Sequence, residues 1–110
     1  MRNISLQFKE QITQLTKQVK DKYMPEKIIL YGSAAKNKAT RDSDIDIFII
    51  KKTHKRLINR INDVFNLVDS NIPIEPIVYT PSEVKWRLKL GDPFVTDIVK
   101  EGIVLYEKGK

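Results

Sequence analysis

The sequence predicts an α/β or α+β domain in which helices pack on a small β-sheet. Amphipathic segments with the helical period alternate along the chain with short runs that are rich in isoleucine and valine. Forty-one per cent of the residues are hydrophobic, which is ordinary for a globular domain. The chain has 110 residues, so we expect residues 1–110 to form a single domain around one core.

The first predicted elements are a helix over residues 2–23 and a strand over residues 27–31. Apolar side chains recur in the helix at spacings of three and four, and Pro25 favours its end. The strand runs into Gly32, which indicates a tight turn. Residues 33–42 are small, polar and basic, and we expect a loop or one helical turn there.

The middle of the chain predicts a strand, a helix and a second strand. Residues 44–51 are rich in isoleucine, and residues 74–79 form another β-prone run. Between them, residues 55–69 have an amphipathic pattern that predicts a helix. The side chains expected to face inward from that helix are Leu57, Ile58, Ile61, Val64, Phe65 and Val68.

Two helices near the C-terminus carry explicit start signals. Thr80 and Glu83 match a capping box around a proline at the first helical position, which predicts a helix over residues 81–90. Asp92-Pro93 opens another helix in the same way, and residues 103–106 are predicted as a last short strand.

Composition excludes several classes of function. The chain contains no cysteine and one histidine, which excludes disulfide scaffolds, thiol chemistry and multi-histidine metal sites. No apolar run approaches the ~20 residues of a membrane span, so we expect no membrane association. The first ten residues are mixed polar and charged, so we expect no secretory signal and a cytoplasmic location.

Acidic residues are concentrated in one place in a basic chain. The net charge is +6, yet Asp42, Asp44 and Asp46 lie within five residues. Strand side chains alternate between faces, so Asp44 and Asp46 point the same way, about 7 Å apart at Cα. Two carboxylates on one face can hold divalent cations, and the alternative is a turn-capping pair. We expect Asp42 and Ser43 to shape the turn.

Glu75 places a charge on the next strand, which is otherwise apolar. If the two strands are neighbours, Glu75 reaches the same cation as Asp44 and Asp46. Taken alone, Glu75 is better explained as a strand residue that faces solvent.

Gly32 and Ser33 form a second candidate feature, a turn that can bind a phosphate. A glycine directly after a strand lets the backbone approach a phosphate, and the Ser33 hydroxyl and nearby N–H groups can bind its oxygens. For this pair taken alone, a plain turn is the better explanation. Ten residues separate it from Asp44, which gives a Gly-Ser, ten-residue, Asp-x-Asp pattern followed by an acid on the next strand.

This pattern resembles the signature of the DNA polymerase beta-like nucleotidyltransferase superfamily, and most closely its minimal nucleotidyltransferases. The residues that carry the resemblance are 30–33 (LYGS), 42–46 (DSDID), 73–78 (PIEPIV), 91–94 (GDPF) and 102–106 (GIVLY). The resemblance extends over nearly the whole chain. Ala34 and Asn37 depart from it, because many relatives have arginine and glycine at these positions.

The resemblance implies a mixed sheet flanked by helices and a Mg²⁺-dependent transfer from ATP or another nucleoside triphosphate. It implies two Mg²⁺ (or Mn²⁺) ions held by Asp44, Asp46 and Glu75, which would be both the metal ligands and the catalytic residues. Gly32 and Ser33 would anchor the β- and γ-phosphates while a hydroxyl attacks the α-phosphorus. The nucleoside monophosphate transferred would be AMP if ATP is the donor.

The resemblance also suggests the antitoxin half of a two-protein module whose partner is a helical HEPN-type protein. A small domain leaves little room for an acceptor pocket, so the acceptor arrives on another chain or is held by a homodimer. The alternative function is a non-catalytic module that binds nucleotide and neutralises its partner, which Ala34 and Glu75 favour. An RNA-binding protein that uses the basic surface ranks last, because no aromatic-basic motif is present.

Overall fold

The computed structural model describes residues 5–36, 38–39, 43–69 and 71–110. The predicted helix start at residues 2–4 and the turn positions Asn37 and Asp42 lie outside the described residues. In chain order the elements are α1 (Ser5–Tyr23), β1 (Lys27–Tyr31), α2 (Gly32–Ala35), β2 (Ile45–Ile50), α3 (Leu57–Leu67), β3 (Ile74–Tyr79), α4 (Pro81–Lys89), α5 (Pro93–Glu101) and β4 (Ile103–Glu107).

The strands form one mixed sheet in the order β3-β2-β1-β4. Strand β1 is antiparallel to both of its neighbours, β2 and β4. Strands β2 and β3 are parallel, and α3 makes the crossover between them. The mixed sheet flanked by helices is therefore confirmed, as is the alternation of helices and strands.

Each face of the sheet is covered by two helices. Alternate residues of the strands pack with α1 and α3 in a core that includes Leu15, Val19, Ile47 and Val64. The intervening residues, with Phe48 at their centre, pack with α4 and α5. Because side chains alternate between the faces of a strand, consecutive residues of β2 such as Ile49 and Ile50 pack in two separate cores.

The predicted inward face of α3 is partly wrong. Val64 is fully buried, but Leu57, Ile58 and Phe65 are 44%, 61% and 47% exposed. The apolar residues of this helix span too wide an arc for all of them to face the sheet. Arg60 takes a place on the inward side instead and is 6% exposed.

Arg60 stays buried because its guanidinium has partners in several elements. It donates to the Val78 carbonyl oxygen at 3.1 Å and to both Glu83 carboxylate oxygens at 2.7 and 3.2 Å. Its Nε donates to the Lys55 carbonyl oxygen at 2.8 Å. This hydrogen bonding holds the pKa of Glu83 below its usual range. One side chain therefore joins the start of α3, the end of β3 and the first turn of α4.

Both predicted helix starts in the C-terminal part are confirmed. The Thr80 hydroxyl accepts from the Glu83 N–H at 3.1 Å, and the Glu83 carboxylate accepts from the Thr80 N–H at 2.8 Å, which completes the capping box. The Asp92 carboxylate accepts from the N–H groups of Phe94 and Val95. Among the described residues, no helix combines the length and the apolar character that crossing a membrane requires.

We expect Arg60→Ala to lower the free energy of unfolding by about 2 kcal/mol or more, because it leaves buried carbonyl groups without donors. Arg87→Ala is the matched control, since the Arg87 side chain is half-exposed where it pairs with Asp92, and its loss should cost much less. Urea unfolding of both variants measures the difference. Equal losses in the two variants would contradict a structural role for Arg60.

Candidate functional site

Strand pairing brings the predicted site residues to one end of the sheet. Because β1 and β2 are antiparallel, Gly32 follows the end of β1 where β2 begins. Tyr31 pairs with Asp46, and Asp46 pairs with Glu75 across the parallel β2–β3 ladder. Asp44 comes one residue before β2. The adjacency of Glu75 and Asp46, which the sequence made conditional on neighbouring strands, is confirmed.

The three carboxylates are close enough to change one another's pKa values. Hydrogen bonding with Asp44, followed by the charge of Asp46, raises the pKa of Glu75 above its usual range. Burial raises the pKa of Asp46, the charge of Asp44 adds to that rise, and the hydrogen bond with Glu75 opposes it. Repulsion among the three carboxylates therefore contributes to both raised pKa values.

A divalent cation fits the chemistry of this donor set. Three neighbouring carboxylates that repel one another carry a negative charge that a dication would neutralise, and carboxylate oxygens are ligands that Mg²⁺ prefers. Across residues 5–36, 38–39, 43–69 and 71–110, no group of three or more acidic or histidine side chains is already arranged to hold a metal ion. Mg²⁺ usually takes further ligands from water and substrate phosphates, so such an arrangement would be completed with the substrate.

Gly32 lies against the carboxylate of Asp46. Its φ is +73°, a conformation that L-residues rarely adopt, and a Cβ built on it would overlap the Asp46 Oδ2. Any larger residue here would therefore displace the carboxylate as well as strain the backbone. The glycine thus permits the turn after β1 to approach the acidic residues.

Ser33 lies in the single helical turn α2, where one turn or a loop was predicted. The Ser33 carbonyl oxygen accepts from the Lys38 N–H at 2.8 Å, and the Gly32 carbonyl oxygen accepts from the Lys36 N–H at 3.2 Å. No side chain caps the start of α2. Because the first N–H groups of a helix have no acceptor within it, they remain available to an anion beside Ser33.

Tyr31 is a neighbour of the carboxylates that sequence reasoning missed. Burial, followed by the charges of Asp46 and Glu75, raises the pKa of Tyr31 to about 12, so its phenol stays protonated at neutral pH. Its ring packs edge-to-face against Phe94, with centroids 5.7 Å apart. Its position directly before Gly32 was the signal available in the sequence. The contact with Phe94 brings the start of α5 to the same end of the sheet.

Comparisons with known proteins agree with the fold. A model of the nucleotidyltransferase domain family matches residues 12–106. The crystal structure of a candidate nucleotidyltransferase from Sulfolobus solfataricus is similar, with a TM-score of 0.65 and 20% sequence identity over 100% of this chain and 95% of that chain. No curated protein matches the chain.

We expect Gly32→Ala to destabilise the fold more than Gly91→Ala does. Both glycines have positive φ, so each substitution should carry a backbone cost of about 1–2 kcal/mol. Only Gly32 has the Asp46 carboxylate in the way, whereas nothing lies within 4 Å of a Cβ at Gly91. Chemical unfolding of both variants measures the losses in unfolding free energy, and their difference is the steric cost at Gly32. Equal losses would contradict the close approach of Gly32 to Asp46.

We expect Asp46→Asn to leave the melting temperature of the metal-free protein unchanged or higher at pH 7. The folded carboxyl groups of Asp46 and Glu75 have raised pKa values, so the folded chain binds more protons than the unfolded chain in the acid range. Stability contributed by these groups therefore falls as the pH rises above about 4, the usual range of carboxyl pKa values. The substitution removes one of the repelling charges.

Thermal unfolding in chelator at several pH values measures this effect. The difference between Asp46→Asn and the wild type should shrink toward acid pH, where the repulsion is absent in both. Asp21→Asn is the control, because Asp21 is exposed on α1 and pairs with Lys17 of the same helix. A large loss of stability in Asp46→Asn at pH 7 would show that Asp46 acts as a structural cap.

Proposed function

The chain belongs to the nucleotidyltransferase domain family, and we propose that it transfers a nucleoside monophosphate from a nucleoside triphosphate to an acceptor hydroxyl. The observation that carries this proposal is the convergence of Asp44, Asp46 and Glu75 beside the Gly32-Ser33 turn. ATP is the proposed donor, so the transferred group is AMP. Mg²⁺, or Mn²⁺ in its place, is the proposed metal, with two ions per site.

Asp44, Asp46 and Glu75 would hold the metal ions, which supply charge neutralisation for the triphosphate and activate the acceptor hydroxyl. Ser33 and the first N–H groups of α2 bind oxygens of the β- and γ-phosphates and orient the donor. The acceptor oxygen forms a bond to the α-phosphorus, the bond from that phosphorus to the bridging oxygen breaks, and pyrophosphate leaves. Glu75 takes the proton that the hydroxyl loses.

The proposed acceptor is a hydroxyl on a second protein. A helical HEPN-type protein is the partner that the resemblance implies, and a homodimer is the other way to present an acceptor. Two features support an acceptor that belongs to a second chain. Asp44 and Glu75 are exposed to solvent, and the sheet, the two pairs of helices and the acidic site occupy most of the described chain.

A non-catalytic binding module is the second candidate. It is favoured by the lack, within the described residues, of a group of three side chains already arranged for a metal ion. Ala34 favours it as well, because many relatives have an arginine there that can contact phosphate. In this case the chain would bind and neutralise its partner without modifying it.

Incubation with Mg²⁺, the protein encoded by the adjacent gene and ATP labelled at the α-phosphate tests the proposal. We expect label on the partner, at a tyrosine, serine or threonine, and none from ATP labelled at the γ-phosphate. Asp44→Asn should abolish labelling, and Ser33→Ala should reduce its rate by about 10²-fold through lost phosphate positioning. Asp21→Asn, a distant substitution of the same type, should label at the wild-type rate.

The opposite outcome would favour the binding module. If the wild type labels nothing with any of the common triphosphates, catalysis is not its function toward that partner. If the double variant Asp44→Asn, Asp46→Asn still binds and neutralises the partner, the acidic site is dispensable for the association.

A further inference from the structure

A groove of about 500 Å³ lies at the end of the sheet opposite the carboxylates. We call it the far-end groove, and it is lined by Glu26, Lys27, Ile50, Lys52, Pro81, Val84, Lys85, Leu88, Glu107 and Lys108. Lys27 and Ile50 pair at one end of the β1–β2 ladder, and Tyr31 and Asp46 pair at the other. Four strand residues at about 3.3 Å each separate the two ends by about 13 Å.

One face of α4 forms the apolar wall of the far-end groove. Pro81, Val84, Lys85 and Leu88 follow the spacing of a single helical face, at i, i+3, i+4 and i+7. Val84 anchors this face in the core, whereas Leu88 is 38% exposed. The helix packs chiefly against α5 rather than against a strand, which leaves the gap above Ile50 open to solvent.

Lysines dominate the rim of the far-end groove. Lys27 faces Glu107 at 3.8 Å, and Lys108 faces Glu26 at 3.7 Å, so these four charges form two long ion pairs. Within the part of the chain that the structure describes, Lys52 and Lys85 have no acidic partner. The groove therefore combines an apolar wall with two unpaired positive charges.

We propose that the far-end groove docks an acidic, amphipathic segment of a partner protein. The apolar residues of such a segment would cover Leu88 and Ile50, and its carboxylates would pair with Lys52 and Lys85. The groove is too open to bury most of a small molecule, as small-molecule sites do. The residues that line the groove include no aromatic ring on which a base could stack, which makes a nucleic acid the weaker fit.

A segment docked in this groove leaves the acidic end of the sheet uncovered. A partner could therefore be held at one end of the sheet while the carboxylates at the other end stay accessible. The association does not require catalysis, so it is independent of the function proposed above.

The test uses a fluorescent synthetic helical peptide with leucines on one face and glutamates on both flanks. We expect it to bind the full chain, and the Lys52→Glu, Lys85→Glu double variant to weaken binding about tenfold in fluorescence anisotropy. Lys89→Glu, Lys100→Glu is the matched control with the same change in net charge, because both lysines are exposed and lie outside the groove. We expect this control to bind within about twofold of the wild type.

Methyl resonances supply a second readout that does not depend on the charge variants. We expect the peptide to shift the signals of Ile50, Val84 and Leu88 and to leave the side chains around Asp46 unchanged. Equal weakening in both double variants, or shifts that do not include the groove, would overturn the proposal. Equal affinity for a peptide with glutamines in place of glutamates would overturn it as well. Tighter binding of single-stranded RNA than of the peptide would also overturn the proposal.

Discussion

In the parallel pairing of β2 with β3, Asp46 lies opposite Glu75 and Ile45 lies opposite Ile74. The same register that brings the two carboxylates together also places Ile45, Ile47 and Ile49 in the core beneath α1 and α3. A shift by one residue would turn the acidic side chains into that core and the isoleucines away from it. The energetically costly charges are therefore held in place by burial of apolar residues on the opposite face, and the acidic site can remain under mutual repulsion without loosening the sheet.

The Arg60 contacts secure this register from outside the sheet. Since β2 and β3 are joined through α3, the position of that helix influences how β3 pairs with β2. The guanidinium fixes α3 to the Val78 carbonyl and to the capping box of α4, so the crossover and the next helix are tied to the same strand. One buried cation with four hydrogen bonds thus does what a wider apolar stripe on α3 would otherwise do.

Most of the secondary structure could be predicted because its signals are local: the capping box at Thr80, the glycine after β1 and the isoleucine run of β2 act within a few residues. The mutual position of Asp46 and Glu75 followed once the two strands were assumed to be neighbours. The orientation of α3 could not be predicted, because Arg60 is buried through partners 18 and 23 residues away in the chain. The proximity of Tyr31 to Phe94 and the far-end groove likewise depend on how α4 and α5 pack, which hydrophobic periodicity does not specify.

Pro76 lies within β3, at one edge of the sheet. The carbonyl groups of Pro73 and Tyr79 accept from the N–H groups of Ile45 and Lys51, at 2.8 and 3.0 Å. Alternation along the strand therefore turns the Pro76 nitrogen toward the outer edge. That edge lacks a donor in its middle and is a poor template for another strand, whereas β4 at the opposite edge contains no proline. Two copies joined through β4 would expose only proline-interrupted edges. Strand addition beyond such a pair would therefore be disfavoured, which limits fibre growth through the edges of the sheet.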